Sequence, residues 1–150
     1  PQYHGICFQN LGAVGNITNI TARRNTVYNI AWNGIKICDG VTYGDISYNT
    51  IHDTGHNGLD TLDNVGTSKS SNLEIHHNNI YNCPEAGIYL PCLDNSTVYE
   101  NDVHDSLDAV GAYSWGVKTQ AAGLPAPSGI TIRNNRIWNI TKVDASTSAI

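Results

Sequence analysis

The chain has 150 residues, 40% of them apolar, and a formal net charge of −5 at pH 7. That length and apolar content fit one domain with a narrow core. The negative charge, with few clustered Lys or Arg residues, argues against nucleic acid and anionic membrane surfaces as partners. No apolar run approaches transmembrane length, so we expect no insertion into a membrane.

A repeated pattern built around an Asn residue runs along the chain. In each copy an apolar residue stands three places before the Asn, and a β-branched residue stands two places after it. The copies alternate polar and apolar residues in three short bursts, which predicts three strands per copy and a solenoid. The spacings are 24, 29, 23 and 34 residues, and the five Asn residues are Asn25, Asn49, Asn78, Asn101 and Asn135.

The choice of Asn has a physical reason. Identical side chains stacked about 4.8 Å apart can pass hydrogen bonds from amide to amide. Asn also tolerates the left-handed backbone that a sharp bend needs. We therefore predict an Asn ladder in which each Asn itself forms the bend.

The predicted coils follow one another in chain order. Residues 5–38 hold an incomplete coil and the first full one, followed by residues 41–63, 72–90 and 94–113, and residues 130–141 start the fifth. Residues 114–129 fit no strand and are predicted to form an insertion loop, where solenoids often place binding elements. Because neither end shows a polar cap, we expect a single β-helix domain over residues 1–150 that is a piece of a longer chain.

The repeat is clearest in the third coil, NLEIHHNNIYNCPEAGIYL over residues 72–90. In this pattern the chain resembles the right-handed parallel β-helix proteins of the pectate-lyase-like superfamily, over about residues 5 to 140. The resemblance implies an all-β solenoid, a right-handed parallel β-helix of five to six coils with three short strands each. It also implies a functional site on an outward strand face bordered by loops. The chain lacks the Asp-Asp and Gly-His-Gly strings of polygalacturonases and an Arg placed as in pectate lyases.

One row of candidate catalytic residues lies seven places after each bend Asn. Stacking would bring these residues within about 5 Å of one another on adjacent coils. An imidazole and two carboxyl groups in a row can supply an acid and a base for work on a glycan. The alternative is a solvated polar turn. The row contains Trp32, His56, Glu85 and Asp108.

A second row follows a Gly that marks the third strand, at Gly34, Gly58 and Gly87, with the fourth placed at Gly111. The side chains two residues after each Gly are predicted to point outward. A face of charged and aromatic residues suits sugar binding. We predict Asp60 as a catalytic carboxyl group and the others as substrate-binding residues, together with Trp115 in the insertion loop. The alternative is a cross-strand ion pair beside ordinary surface aromatics. The row contains Lys36, Asp60, Tyr89 and Tyr113.

Asp39 and Asp63 would be neighbours in the next polar row. Two carboxylates are a candidate calcium site, although two ligands are few for that ion. No other cofactor is expected.

Two further rows are interpreted as structural. Five ring-bearing residues in register predict an exterior aromatic ladder. A row of interchanging Asn and Asp one place later predicts bend capping. The ladder contains Tyr28, His52, Tyr81, His104 and Trp138.

The four Cys residues and four glycosylation sequons indicate a secreted or cell-surface protein; the alternative for the sequons is that Asn and Thr are simply common in β-helices. Cys7 and Cys38 lie on successive third strands, and Cys83 and Cys92 bracket one turn, so either pair is a candidate disulfide, and the alternative is unpaired buried thiols. The absence of a CxxC motif argues against a zinc site. The sequon Asn residues are Asn16, Asn19, Asn95 and Asn139.

These patterns lead to two hypotheses. The first is an extracellular polysaccharide-active enzyme, either a glycoside hydrolase or a polysaccharide lyase, with a polysaccharide as its partner. The second is a non-catalytic structural or adhesive β-helix of a cell-surface protein or filament, able to associate with itself end to end.

Overall fold

The computed structural model describes residues 3–9, 17–38, 40–62, 68–106, 114–119 and 126–140. In these ranges the chain forms sixteen β-strands arranged in three sheets. None of the described ranges contains a helix long and apolar enough to cross a membrane.

Each sheet takes one strand from each successive coil, and all pairings between neighbouring strands are parallel. Sheet I contains β1 (Ile6–Gln9), β4 (Ile35–Cys38), β7 (Leu59–Asp60), β10 (Ala86–Tyr89) and β14 (Trp115–Lys118). Sheet II contains β2 (Thr18–Arg23), β5 (Thr42–Ser47), β8 (Ser70–His76), β12 (Thr97–Tyr99) and β15 (Thr131–Arg133), with β11 (Leu93–Asp94) beside β8. Sheet III contains β3 (Thr26–Ile30), β6 (Thr50–Thr54), β9 (Asn79–Tyr81), β13 (Asp102–His104) and β16 (Arg136–Trp138). The predicted parallel β-helix with three strands per coil is confirmed.

The core is a column of aliphatic side chains enclosed by the three sheets. Each sheet contributes an inward row in which residues of successive coils stack, because neighbouring parallel strands are in register. The most deeply buried rows are Ile35, Leu59 and Ile88 in sheet I, Ile46, Ile75 and Val98 in sheet II, and Ile51, Ile80 and Val103 in sheet III.

The Gly at the start of each sheet I strand is required by close packing. A Cβ atom on Gly58 would lie 2.4 Å from Ile80 Cγ2 and 2.7 Å from the carbonyl oxygen of Gly87. The backbone of one coil therefore approaches sheet III and the next coil too closely for any side chain.

The fourth member of this Gly row is Gly116, which corrects the prediction of Gly111. Ala86 pairs with Trp115 and Ile88 pairs with Val117, so Gly116 stacks on Gly87. The predicted insertion loop over residues 114–129 therefore begins with strand β14. Compared with the 23-residue repeat before it, this repeat has six extra residues before the Gly and five after it.

The predicted Asn ladder is confirmed. Asn78 Oδ1 accepts hydrogen bonds from the backbone N–H of Asn49 at 3.0 Å and from Asn49 Nδ2 at 2.9 Å. Asn78 Nδ2 donates to the carbonyl oxygen of Ile46 at 2.8 Å and to Asn101 Oδ1 at 2.9 Å. The ladder thus connects sheet II to the bend and each coil to the next.

The left-handed backbone of this bend lies one residue before the ladder, which corrects the prediction that the Asn itself adopts it. These residues have φ values from 53° to 57°, and they are Arg24, Tyr48, His77, Glu100 and Asn134. A left-handed residue before the Asn leaves the Asn backbone N–H directed at the next coil. The row predicted to cap a bend is also left-handed, at Asn29, Asp53, Asn82, Asp105 and Asn139.

The predicted aromatic ladder is present on the outside of sheet III. Its rings stack nearly parallel, with centroids 5.4, 4.6, 5.1 and 4.5 Å apart from Tyr28 to Trp138. Stacked cross-strand rings of this kind add fractions of a kcal/mol per pair, about 0.2–1.

Neither predicted disulfide is supported. Cys7 pairs with Lys36 and Cys38 pairs with Gln9, so the first two Cys residues are two positions out of register. The Cys83 thiol is buried and donates a hydrogen bond to the carbonyl oxygen of Tyr81 at 3.3 Å, and burial raises its pKa to about 12. A thiol in this position is inert.

Candidate functional site

The outward row of sheet I begins with a buried ion pair. Lys36 Nζ lies 2.9 Å from Asp60 Oδ2, and the two side chains are 3% and 2% exposed. The neighbouring strands β4 and β7 place these residues opposite each other. This corrects the prediction of an exposed sugar-binding row, because a polymer cannot reach either group.

Both oxygens of Asp60 have protein partners. Oδ2 also accepts from Asn33 Nδ2 at 2.6 Å, and Oδ1 accepts from the backbone N–H of Leu62 at 2.7 Å. Burial raises the pKa of Asp60, and the Lys36 ammonium opposes that shift. The predicted catalytic role of Asp60 toward a glycan is therefore wrong for this conformation.

A partly exposed acid–base pair lies at the turn that leads from sheet III into sheet I. His56 Nδ1 lies 2.8 Å from Glu85 Oε1, and the side chains are 31% and 41% exposed. The His56 ring also packs on Trp32, with centroids 3.9 Å apart and planes tilted by 35°. The predicted stacking of these three residues is thus present.

The backbone fixes the geometry of this turn. The His56 N–H donates to the carbonyl oxygen of Trp32 at 3.1 Å, and the Trp115 N–H donates to the carbonyl oxygen of Glu85 at 3.0 Å. With Nδ1 engaged by a carboxylate, Nε2 of His56 is the ring nitrogen left for a ligand.

The fourth member of this row differs from the prediction. Because Ala86 pairs with Trp115, the residue beside Glu85 is Ser114, and its hydroxyl donates to the carbonyl oxygen of Pro84 at 3.0 Å. Asp108, which was predicted there, lies outside the described residues.

A cationic and aromatic cluster lies on the same face, on strands β10 and β14. Lys118 Nζ is 5.0 Å from the ring centroid of Tyr89 and 5.5 Å from that of Trp115. Lys118 pairs with Tyr89 in the position predicted for Tyr113, which lies outside the described residues. Sequence reasoning missed Lys118 because it assigned this stretch to a loop.

The remaining predicted sites are only partly described. Asp39 and Asp63 lie outside the described residues. Among the residues that the structure describes, no group of three or more His, Cys, Asp or Glu residues could hold a metal ion. Of the sequon residues, Asn16 is outside the described ranges, whereas Asn19, Asn95 and Asn139 are exposed.

A second polar cluster on sheet II was not predicted. His76 Nδ1 lies 2.8 Å from His77 Nδ1, His77 Nε2 lies 2.9 Å from Glu100, and His76 Nε2 lies 3.4 Å from Asp45. The His76 ring stacks on Tyr99 with centroids 4.7 Å apart. The adjacent His residues were the available signal, but their partners follow only from the strand register.

Comparison with known families agrees with this architecture. The family model described as the right-handed β-helix region matches residues 4–148, nearly the whole chain. The chain belongs to the right-handed β-helix family. No curated protein and no solved structure gives a significant match.

Membership of the right-handed β-helix family establishes the fold and its handedness. The activity has to be argued from the side chains of the site, because unrelated activities share such folds. On the sheet I side of this β-helix lie five partly exposed residues that we call the sheet I face, namely His56, Glu85, Tyr89, Trp115 and Lys118.

Proposed function

We propose that this right-handed β-helix is an extracellular polysaccharide-active protein that binds and cleaves a glycan on the sheet I face. The observation that carries the proposal is the 2.8 Å contact between His56 Nδ1 and Glu85 Oε1 beside a cluster of aromatic rings and one cation. The exposed sequon residues Asn19, Asn95 and Asn139 agree with a location outside the cell.

The pair suits base catalysis. A carboxylate bonded to Nδ1 holds the imidazole in the tautomer whose Nε2 accepts a proton, and it stabilises the imidazolium that forms. Tyr89 and Trp115 offer flat apolar surfaces for sugar rings. Lys118 adds a positive charge that would attract a uronic acid carboxylate.

Of the two cleavage reactions, these groups favour a lyase acting on an acidic glycan. A glycoside hydrolase needs two carboxyl groups about 5–9.5 Å apart that both reach the glycosidic bond. Among the described candidates, Asp60 is buried and Glu85 is already bonded to His56. A lyase needs a base for a carbon-bound proton and a positive charge near the carboxylate, which match His56 and Lys118.

The test is incubation with neutral and acidic polysaccharides, following both reducing ends and the absorbance of unsaturated sugars. We expect both signals on an acidic glycan. His56→Gln should abolish them, and His52→Gln is the matched control because His52 also bonds a carboxylate, Asp53, at 2.8 Å on the opposite face. Full activity of the His56→Gln protein would refute the assignment.

The second candidate is a non-catalytic structural or adhesive β-helix. The continuous Asn and aromatic ladders favour it, because they repeat through the described coils independently of the sheet I face. No product from any glycan, together with glycan binding or concentration-dependent oligomers in light scattering, would support this role.

A further inference from the structure

Three polar side chains are buried together beside the sheet I face, on strands β4 and β7 and in the turn before β4. Asn33, Lys36 and Asp60 are 1%, 2% and 2% exposed. Lys36 Nζ and Asn33 Nδ2 both contact the same atom, Asp60 Oδ2, at 2.9 and 2.6 Å. One carboxylate oxygen thus bridges an amine and a carboxamide nitrogen.

The other atoms of these groups are also held. Asn33 Oδ1 accepts the backbone N–H of Asn57 at 3.0 Å, which polarises the carboxamide carbonyl. Asp60 Oδ1 accepts the backbone N–H of Leu62, which fixes the carboxyl plane. A nucleophile and the carboxamide nitrogen therefore share one proton carrier, and the carboxamide oxygen already faces an oxyanion donor.

We propose that Lys36 and Asn33 form an intramolecular isopeptide bond, with Asp60 carrying the protons and Asn57 N–H stabilising the oxyanion. In an ordinary buried ion pair, the two charged groups need only bond to each other. Here the carboxylate instead bridges the attacking nitrogen and the nitrogen that would leave.

The reaction is an aminolysis of the Asn33 carboxamide. Asp60 first takes a proton from the Lys36 ammonium, and the neutral amine attacks Asn33 Cγ. A second Nζ proton passes through the Asp60 carboxyl group to Nδ2, the Cγ–Nδ2 bond breaks and ammonia leaves. Lys36 Nζ and Asn33 Cγ are then joined by an amide, and Asp60 keeps the proton that it took first.

Burial favours these neutral products. Two charges withdrawn from water carry a desolvation penalty that the reaction removes. Burial also raises the pKa of Asp60, which makes it a better proton acceptor for Lys36. Because the link spans only three residues, its effect lies in removing buried charge more than in restricting the unfolded chain.

The test is the intact mass of the purified chain, followed by tandem mass spectrometry of its peptides. We expect a deficit of one ammonia and a peptide in which Lys36 is joined to Asn33. Lys36→Arg keeps the cation but removes the nucleophile, and Asp60→Asn removes the proton carrier, so each should show its full calculated mass. Lys118→Arg, a matched change at an exposed Lys, should keep the deficit.

Other outcomes would overturn the proposal, and each of them has a distinct signature. A full calculated mass would show that no bond forms. Loss of one water with a Lys36–Asp60 link would make Asp60 the electrophile. A succinimide at Asn33–Gly34 also loses ammonia, but hydroxylamine cleaves it and it would persist in Lys36→Arg. Circular dichroism checks that each variant is folded.

Discussion

Glu85 Oε1 lies 2.8 Å from Nδ1 of His56, a residue 29 positions earlier in the chain. Only the stacking of two coils brings these groups together. The contact orients an imidazole that is exposed enough to meet a ligand, whereas the Asp60 carboxylate, four residues later in the same coil, is buried in an ion pair.

Replacing Glu85 by Gln should lower cleavage of the preferred glycan by about 100-fold, because the amide no longer stabilises the imidazolium form of His56. The initial rate of product formation measures the change. Asp53→Asn on sheet III removes the equivalent partner of His52 and should leave the rate unchanged. Equal losses in both variants would indicate a general effect on the fold.

The fold was predictable because every level of the sequence repeats. Apolar rows, a fixed Asn and a Gly recur in the same order, so one register assigns strands in all coils. The error at Gly111 arose because the longest repeat contains four Gly residues, Gly111, Gly116, Gly123 and Gly129. The pairing of Ala86 with Trp115 identifies Gly116. Its close packing agrees, because a Cβ there would lie 2.4 Å from Ile137 Cγ2.

Asn78→Ala should destabilise the fold by about 3 kcal/mol. It leaves the backbone N–H of Asn49 and the carbonyl oxygen of Ile46 without partners, and each buried unsatisfied group costs about 1–3 kcal/mol. Urea denaturation measures the change. Asn25→Ala removes fewer bonds at the end of the described ladder, so its effect should be smaller. A similar loss at both positions would contradict the ladder's role.

The candidate site was predictable only in part. The His56–Glu85 contact follows from register, because both residues lie the same distance after their bend Asn. The burial of Lys36 and Asp60 does not follow, since outward residues of a strand are normally solvated. The hydrogen bonds that enclose Asp60 come from the Asn33 side chain and the Leu62 backbone. Both residues lie in turns, where the sequence repeat does not specify the direction of these groups.

Lowering the pH should remove the contribution that Asp53 makes to the free energy of unfolding. A hydrogen bond from Asn82 Nδ2, and then one from His52, lower the pKa of Asp53 below its ordinary value of 3.8. A carboxyl group whose pKa is lower in the folded state stabilises the fold above pH 3.8, and this contribution disappears as the pH falls through the lowered pKa. Urea midpoints of wild type and Asp53→Asn should therefore converge with falling pH. A difference that stays constant down to the lowest pH would contradict the shifted pKa.

Tyr89 and Lys118 should contribute to glycan binding in different ways. Tyr89→Ala removes an apolar surface and should weaken binding of neutral and acidic glycans alike, by about tenfold for a loss near 1.4 kcal/mol. Lys118→Gln keeps the size of the side chain but removes its charge, so it should weaken binding of the acidic glycan alone. The affinity difference between wild type and Lys118→Gln should shrink as salt is added, because salt screens the attraction between Lys118 and the glycan in the wild type. Calorimetric titration at low and high salt separates the two effects.

Tyr28→Ala, which removes a 52% exposed ring on sheet III, is the matched aromatic control. If Tyr28→Ala weakened binding as much as Tyr89→Ala, the glycan would bind the aromatic ladder instead of the sheet I face.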